Sequence, residues 1–148
     1  MRLIEILIAI AIILILAGTT AGLLTPFRTT ETLFGGTDAA LQALRGARSE
    51  ALGGRNGKKY GVHFETDKAT VFPGSSFGSA PAASSTVFIF PKGATLGTTS
   101  FAGGGTDVFF ERITGKTNNF GTLTITVASA SSSTKTITIL RTGVVYGN

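Results

Sequence analysis

The stretch Leu3-Ile4-Glu5-Ile6-Leu7-Ile8-Ala9-Ile10-Ala11-Ile12-Ile13-Leu14-Ile15-Leu16 decides how the rest of this chain is read. Ile6 to Leu16 is unbroken apolar sequence, and Ala17 to Leu24 adds only small or apolar residues and two threonines. Counted from Leu3, the stretch is about 20 residues, or about 30 Å as a helix, enough to span the hydrocarbon core of a bilayer. One side chain does not suit lipid. A carboxylate at full depth in a membrane costs about 2.5–3.5 kcal/mol, so Glu5 asks for a reason. Three readings compete. A secretory signal peptide would use Arg2 as its basic region and the run from Ile6 as its apolar region, although an acidic residue between them is unusual. A plain membrane anchor would hold Glu5 near the interface, where the cost is small. In the third reading, Glu5 meets a positive charge on a neighbouring chain once the helix packs among copies of itself.

Outward from this run, the remaining sequence changes character twice. Gly18, Gly22 and Pro26 mark a weak stretch, because glycine and proline are poor in helix interiors. Phe27 to Phe34 continues the helix beyond it, and Gly35-Gly36 reads as an interruption after which Thr37 or Asp38 caps a new turn. From Asp38 onward, Ala40, Leu41, Leu44, Ala47, Ala51 and Leu52 recur at three- and four-residue spacing, a single apolar stripe suited to packing on a sheet. Gly53-Gly54 ends the element.

After Asn56-Gly57 the period becomes two. Tyr60, Val62 and Phe64 alternate with Gly61, His63 and Glu65, and Ala69 to Phe72 returns as the second strand of a hairpin. Pro73 to Ser85 reads as a surface loop. Val87 to Phe90 and Asp107 to Arg112 are short strands separated by a Gly/Thr-rich connection. Leu123, Ile125 and Val127 alternate with threonines, Ser129 to Ser133 turns, Thr136 to Leu140 returns, and Val144 to Tyr146 adds an edge. The expected fold is α+β: a long N-terminal α-helix with its hydrophobic half protruding and its C-terminal half packed on an antiparallel β-sheet. Three parts follow: 1–26 as a transmembrane or filament-core helix, 27–54 as its continuation on the sheet, and 55–148 as the sheet domain.

Composition sets limits on function. The 148 residues suit one domain, with 13 Lys+Arg against 8 Asp+Glu and a net charge of +5. No cysteine is present, so disulfides and thiolate metal sites are excluded. The single histidine, His63, alternates out of the apolar face of its strand and reads as a solvent-facing residue rather than a base or ligand. Glu65 and Asp67 flank a turn without the spacing of a calcium loop. Gly103-Gly104-Gly105 precedes a strand rather than a helix, so it is no phosphate loop. We therefore expect no enzyme, no cofactor and no metal.

The N-terminal residues Met1-Arg2-Leu3-Ile4-Glu5-Ile6-Leu7-Ile8-Ala9-Ile10-Ala11-Ile12 resemble the mature N-terminus of type IV pilins and type II secretion pseudopilins. Leu44-Arg45-Gly46-Ala47-Arg48-Ser49-Glu50-Ala51-Leu52 is similar to the Ala-Arg-Ser-Glu-Ala signature of the H-type pseudopilin and its minor-pilin relatives. The terminal Thr136 to Val145 resembles that group's last strands. Many members of the family carry a proline where this chain has Gly22. The resemblance implies that Met1 is the processed and N-methylated first residue, left after a prepilin peptidase removes a short basic leader. It implies that Glu5 serves assembly by pairing with the terminal ammonium of a neighbouring subunit. Ile6, Ile8, Ile10, Ile12, Ile13 and Leu16 would build the filament core, and any segment that melts or kinks on assembly would lie within Gly18, Gly22 and Pro26.

The chain is accordingly expected to be a structural subunit of a type IV pilus-like filament, read here as the major subunit, with roles in adhesion or motility. A minor pseudopilin that primes or tips a filament, and a DNA-binding pilin for uptake, are the alternatives. Its partners would be copies of itself, the pilus or type II secretion assembly machinery, and the inner membrane before export to the cell surface. Arg45, Arg48, Arg55, Lys58 and Lys59 form a basic group at the helix end. Such a group can hold DNA phosphates or acidic residues of neighbouring subunits, Glu31 or Glu50 among them. Contact between subunits is the expectation, because no aromatic side chains are interleaved with the group to stack bases.

Overall fold

The computed structural model describes residues 3–80, 82–127 and 130–148, with the side chains of 19–27, 55, 82 and 130–132 outside that description. A single helix, α1 (Leu3–Leu52), comprises 50 residues, about 75 Å of continuous helix at 1.5 Å per residue. Among the described residues eight strands follow: β1 (Tyr60–Phe64), β2 (Lys68–Pro73), β3 (Thr86–Ile89), β4 (Ala94–Phe101), β5 (Asp107–Phe110), β6 (Gly121–Val127), β7 (Ala130–Ile139) and β8 (Val145–Gly147). They form two four-stranded antiparallel sheets, ordered β3-β2-β1-β5 and β4-β6-β7-β8. The architecture is α+β, with two sheets where the alternating pattern suggested one.

Small residues on one helix face meet large residues from both sheets. Ala40, Ala43, Leu44, Ala47 and Ala51 are buried in one cluster with Val62, Phe64, Val108 and Phe110 of the first sheet and Leu123, Ile125, Ile137 and Ile139 of the second. Registers align the inward positions. Val62 lies opposite Val71 and Val108, and Leu123 lies opposite Ile137.

Three expectations need correction. Gly35-Gly36 does not interrupt the helix, which runs through it. A Cβ on Gly36 would lie 2.8 Å from the Ala94 Cβ and 3.1 Å from the Ile125 Cγ2, and one on Gly35 would lie 2.8 Å from the Pro91 Cγ. Each glycine costs the helix about 1 kcal/mol relative to alanine, and the close approach of helix to strands offsets that cost. Thr37 is therefore no N-cap; its hydroxyl donates to the Leu33 carbonyl at 2.8 Å, while the Asp38 carboxylate accepts from Gln42 at 2.7 Å.

The Gly/Thr-rich connection holds a strand, β4, that pairs with β6. A register shift between Leu96 and Thr99 breaks its period of two, so the inward residues Ala94, Leu96 and Phe101 leave no alternating trace. Finally, β7 begins at Ala130, inside the stretch read as a turn; Ser129, where that turn was expected to start, lies outside the described residues.

The helix ends as its two glycines require. Gly53 donates to the Ser49 carbonyl at 2.9 Å and Gly54 to that of Ala51 at 3.2 Å. The β5–β6 connection completes the cap, with the Ile113 N–H donating to the same Ala51 carbonyl at 2.8 Å.

Candidate functional site

From Leu3 to Leu16 the large apolar side chains of α1 are exposed on every side of the helix, from 49% at Ile6 to 81% at Leu3. Ile8, Ile10, Ile12, Ile13 and Leu16 all belong to this exposed run, and Glu5 lies exposed within it. The apolar area so presented is on the order of 1,000 Å2, against the few hundred Å2 of the largest apolar patch on a typical soluble monomer. Among the described residues no helix is long and apolar enough to cross a membrane. The apolar run with described side chains, residues 3–18, accounts for about 24 Å of helix.

The backbone remains helical through Gly18, Gly22 and Pro26. A Cβ on Gly18 would meet nothing within 4 Å, and the side chains of 19–27 lie outside the described residues, as do Met1 and Arg2.

The basic group divides in space. Arg45 and Arg48 line a groove of about 370 Å3 between the last turns of α1 and the segment Gly143-Val144-Val145. Lys58 and Lys59 line a different depression, beside Pro73, Gly74, Ser75 and Ser79. Lys59 is paired with Glu111 at 2.6 Å, and the Arg55 side chain is outside the described set. The chain reversal at Gly53–Gly57 turns these neighbours in sequence away from one another.

Arg48 is held by two glycine turns that sequence reading did not connect to it. A Cβ on Gly115 would lie 2.9 Å from the Leu52 side chain and 3.3 Å from the Arg48 Cγ. On Gly143, a Cβ would collide with the Gly115 carbonyl oxygen and approach the Arg48 Nε to 3.0 Å. Both glycines adopt positive φ, 61° and 80°, where only glycine is unstrained. The Arg48 stem therefore packs against bare backbone, and among the described residues its buried Nε has no hydrogen-bond partner. Thr114-Gly115 and Thr142-Gly143 are recognisable turn sequences, yet nothing local to them points to a helix residue so far away along the chain.

His63 does not face solvent freely. Its Nδ1 lies 2.5 Å from the Asp107 Oδ1, with side-chain exposures of 22% and 35%, and its ring stacks on Phe77 at 4.1 Å. Gly61 explains the neighbourhood. A Cβ there would lie 2.6 Å from the Phe72 ring and 2.9 Å from Phe109, so these rings close over β1 and Phe77 covers them edge-on at 5.4 Å from Phe72. The histidine seals the rim of this second, aromatic cluster on the outer face of the first sheet. Glu65, the turn carboxylate, is paired with Lys68 at 3.3 Å. Among the described residues no three His, Asp or Glu side chains converge as a metal site would require.

Comparison with protein-family models, with curated proteins and with solved structures finds no match. Function is therefore read from the helix, the groove and the sheets themselves.

Proposed function

We propose that this chain is a structural subunit, a pilin, that polymerises into a type IV pilus-like surface filament through its N-terminal helix. The hydrophobic half of α1 protrudes from the sheets as the polymerising element, and the C-terminal half packs on them. The observation that carries the reading is the all-round exposure of apolar side chains from Leu3 to Leu16 at the start of a helix whose later turns are part of the core.

The magnitudes favour assembly. Burying on the order of 1,000 Å2 of apolar surface is worth at most about 25 kcal/mol at roughly 25 cal/mol per Å2. Immobilising a subunit costs about 4–15 kcal/mol, so relative to water a bundle of such helices has a surplus; relative to lipid, which already hides this surface, cohesion comes from helix packing and the Glu5 pair. Lipid offers the same surface a home before assembly, and the waiting subunit then sits in the inner membrane. Glu5 supplies register. Within an apolar bundle its carboxylate must meet a cation, a role that the resemblance to type IV pilins gives to the terminal ammonium of a neighbouring subunit. Removing one partner of such a buried pair costs about 3–5 kcal/mol. Head-to-tail contacts whose rotation does not close, with a rise along the helix axis from one copy to the next, give an open filament, assembled with pilus or type II secretion machinery.

The test is electron microscopy and intact-mass analysis of material sheared from cells expressing the full chain. Filaments dominated by this chain, lost on Glu5→Ala, are the expected result, and dominance in mass identifies the major subunit. Trace amounts in filaments of another protein would identify a minor, priming subunit. A Glu5→Ala variant that assembles at wild-type yield would remove the basis of the reading.

A further inference from the structure

Among the described residues Arg48 has a buried Nε with no acceptor, and leaving such a donor unpaired is costly. Beside it opens the groove of about 370 Å3, into which the exposed Arg45 also faces. Leu52 and Val144-Val145 form the apolar part of its wall, which Ser49 and Gly143 complete, with Leu52 and Val144 each 42% exposed. Two guanidinium groups against an apolar wall suit a carboxylate carried next to an apolar side chain, since arginine's planar fork matches carboxylate geometry. The volume admits whole side chains rather than a bare ion.

The chain carries that combination on the same helix. Glu31 is exposed and, among the described residues, makes no ion pair. Phe34, one turn later, is 54% exposed although Lys135 lies over its ring. Four other acidic groups are engaged, Asp38 with Gln42, Asp107 with His63, Glu65 with Lys68, and Glu111 with Lys59; Asp67 is exposed like Glu31 but sits in the β1–β2 turn rather than on α1. Glu31 precedes Arg45 by about four helical turns, about 21 Å along the axis, and lies about 40° from it around the helix. A second copy shifted by about that distance along α1, and turned by about half a revolution about it, brings its Glu31 and Phe34 to face the groove of the first. Donor and acceptor sites differ, so the contact is heterologous and propagates.

We propose that the Arg45/Arg48 groove is a carboxylate socket for Glu31 of a second copy of this chain, a lateral contact of the assembled filament. The proposal rests on the filament reading for its biological setting, but its test does not depend on filaments being seen. Full-length chain carrying Glu31→Cys is co-expressed with chain carrying Arg45→Cys, and membranes and sheared material are both oxidised and examined for the mixed disulfide dimer. In parallel, Glu31→Arg, Arg48→Glu and their double variant are compared, with Arg48→Lys as a replacement that keeps the charge if Arg48→Glu does not fold. Expected are the mixed disulfide dimer, an assembly yield reduced about tenfold in each single charge reversal, and recovery to within about threefold in the double. Mixed dimers in membranes without filaments would support the socket while refuting the pilus. Normal filaments with no mixed dimer and no loss in Glu31→Arg would overturn the socket and leave the pilus reading intact. Salt-sensitive binding of duplex DNA abolished by Arg45→Gln and Arg48→Gln, with no mixed dimer, would also overturn it in favour of a polyanion site.

Discussion

Two glycines on the same helix answer oppositely to one substitution, and the pair tests how closely α1 lies on the strands. At Gly46 an added Cβ meets nothing within 4 Å, so Gly46→Ala keeps its helix-propensity gain of about 0.5–1 kcal/mol. At Gly36 the same methyl lands 2.8 Å from the Ala94 Cβ and 3.1 Å from the Ile125 Cγ2. The Ala94 Cβ is fixed by its strand backbone and cannot rotate away. Overpacking of this kind costs about 1–3 kcal/mol, which exceeds the propensity gain and leaves Gly36→Ala less stable by about 1–2 kcal/mol. The two variants should therefore stand apart by about 2 kcal/mol. With a urea slope of about 1–3 kcal/mol per M for a small domain, their midpoints should differ by about 1 M. Urea titration of the full chain in a non-ionic detergent, followed by circular dichroism and by emission of the buried Tyr60, provides the comparison. Equal stabilisation by both substitutions would refute the reasoning, since it would mean that α1 stands farther from β4 and β6 than the contact at Gly36 requires.

Other outcomes follow from the same geometry. Gly61→Ala drives a Cβ into the Phe72 and Phe109 rings at 2.6 and 2.9 Å and should cost about 1–3 kcal/mol, read in the same titration as a lowered midpoint. Glu111→Gln breaks the ion pair with Lys59, whose side chains are 47% and 38% exposed. Such exposed pairs are worth about 0.2–1 kcal/mol, so its midpoint should move less than that of Gly61→Ala and the difference from wild type should shrink in about 1 M salt.

The parts of this molecule that could be read from residue order are those whose physics is local. An apolar run interrupted by one carboxylate announces itself through hydropathy alone. The stripe from Ala40 to Ala51 follows from the helical period, although Leu52, expected to extend it, is exposed, and the β1–β2 and β6–β7 pairs follow from the strand period and a turn between them. Gly53-Gly54 marks a helix end because the next residues cannot continue the hydrogen-bond ladder. Each of these requires only neighbours within a few residues.

Tertiary structure decided the rest, and for a common reason: the deciding contact comes from far along the chain. Gly35-Gly36 looks like a break until β4 and β6 press against it. The strand β4 hides because its register shift erases alternation, and only pairing with β6 reveals it. His63 reads as exposed until Asp107 on β5 and Phe77 beyond β2 close around it. Arg45 and Arg48 share a helix face in any reading, but the groove beside them exists only because Gly115 and Gly143, in two separate turns, let backbone approach where no Cβ would fit.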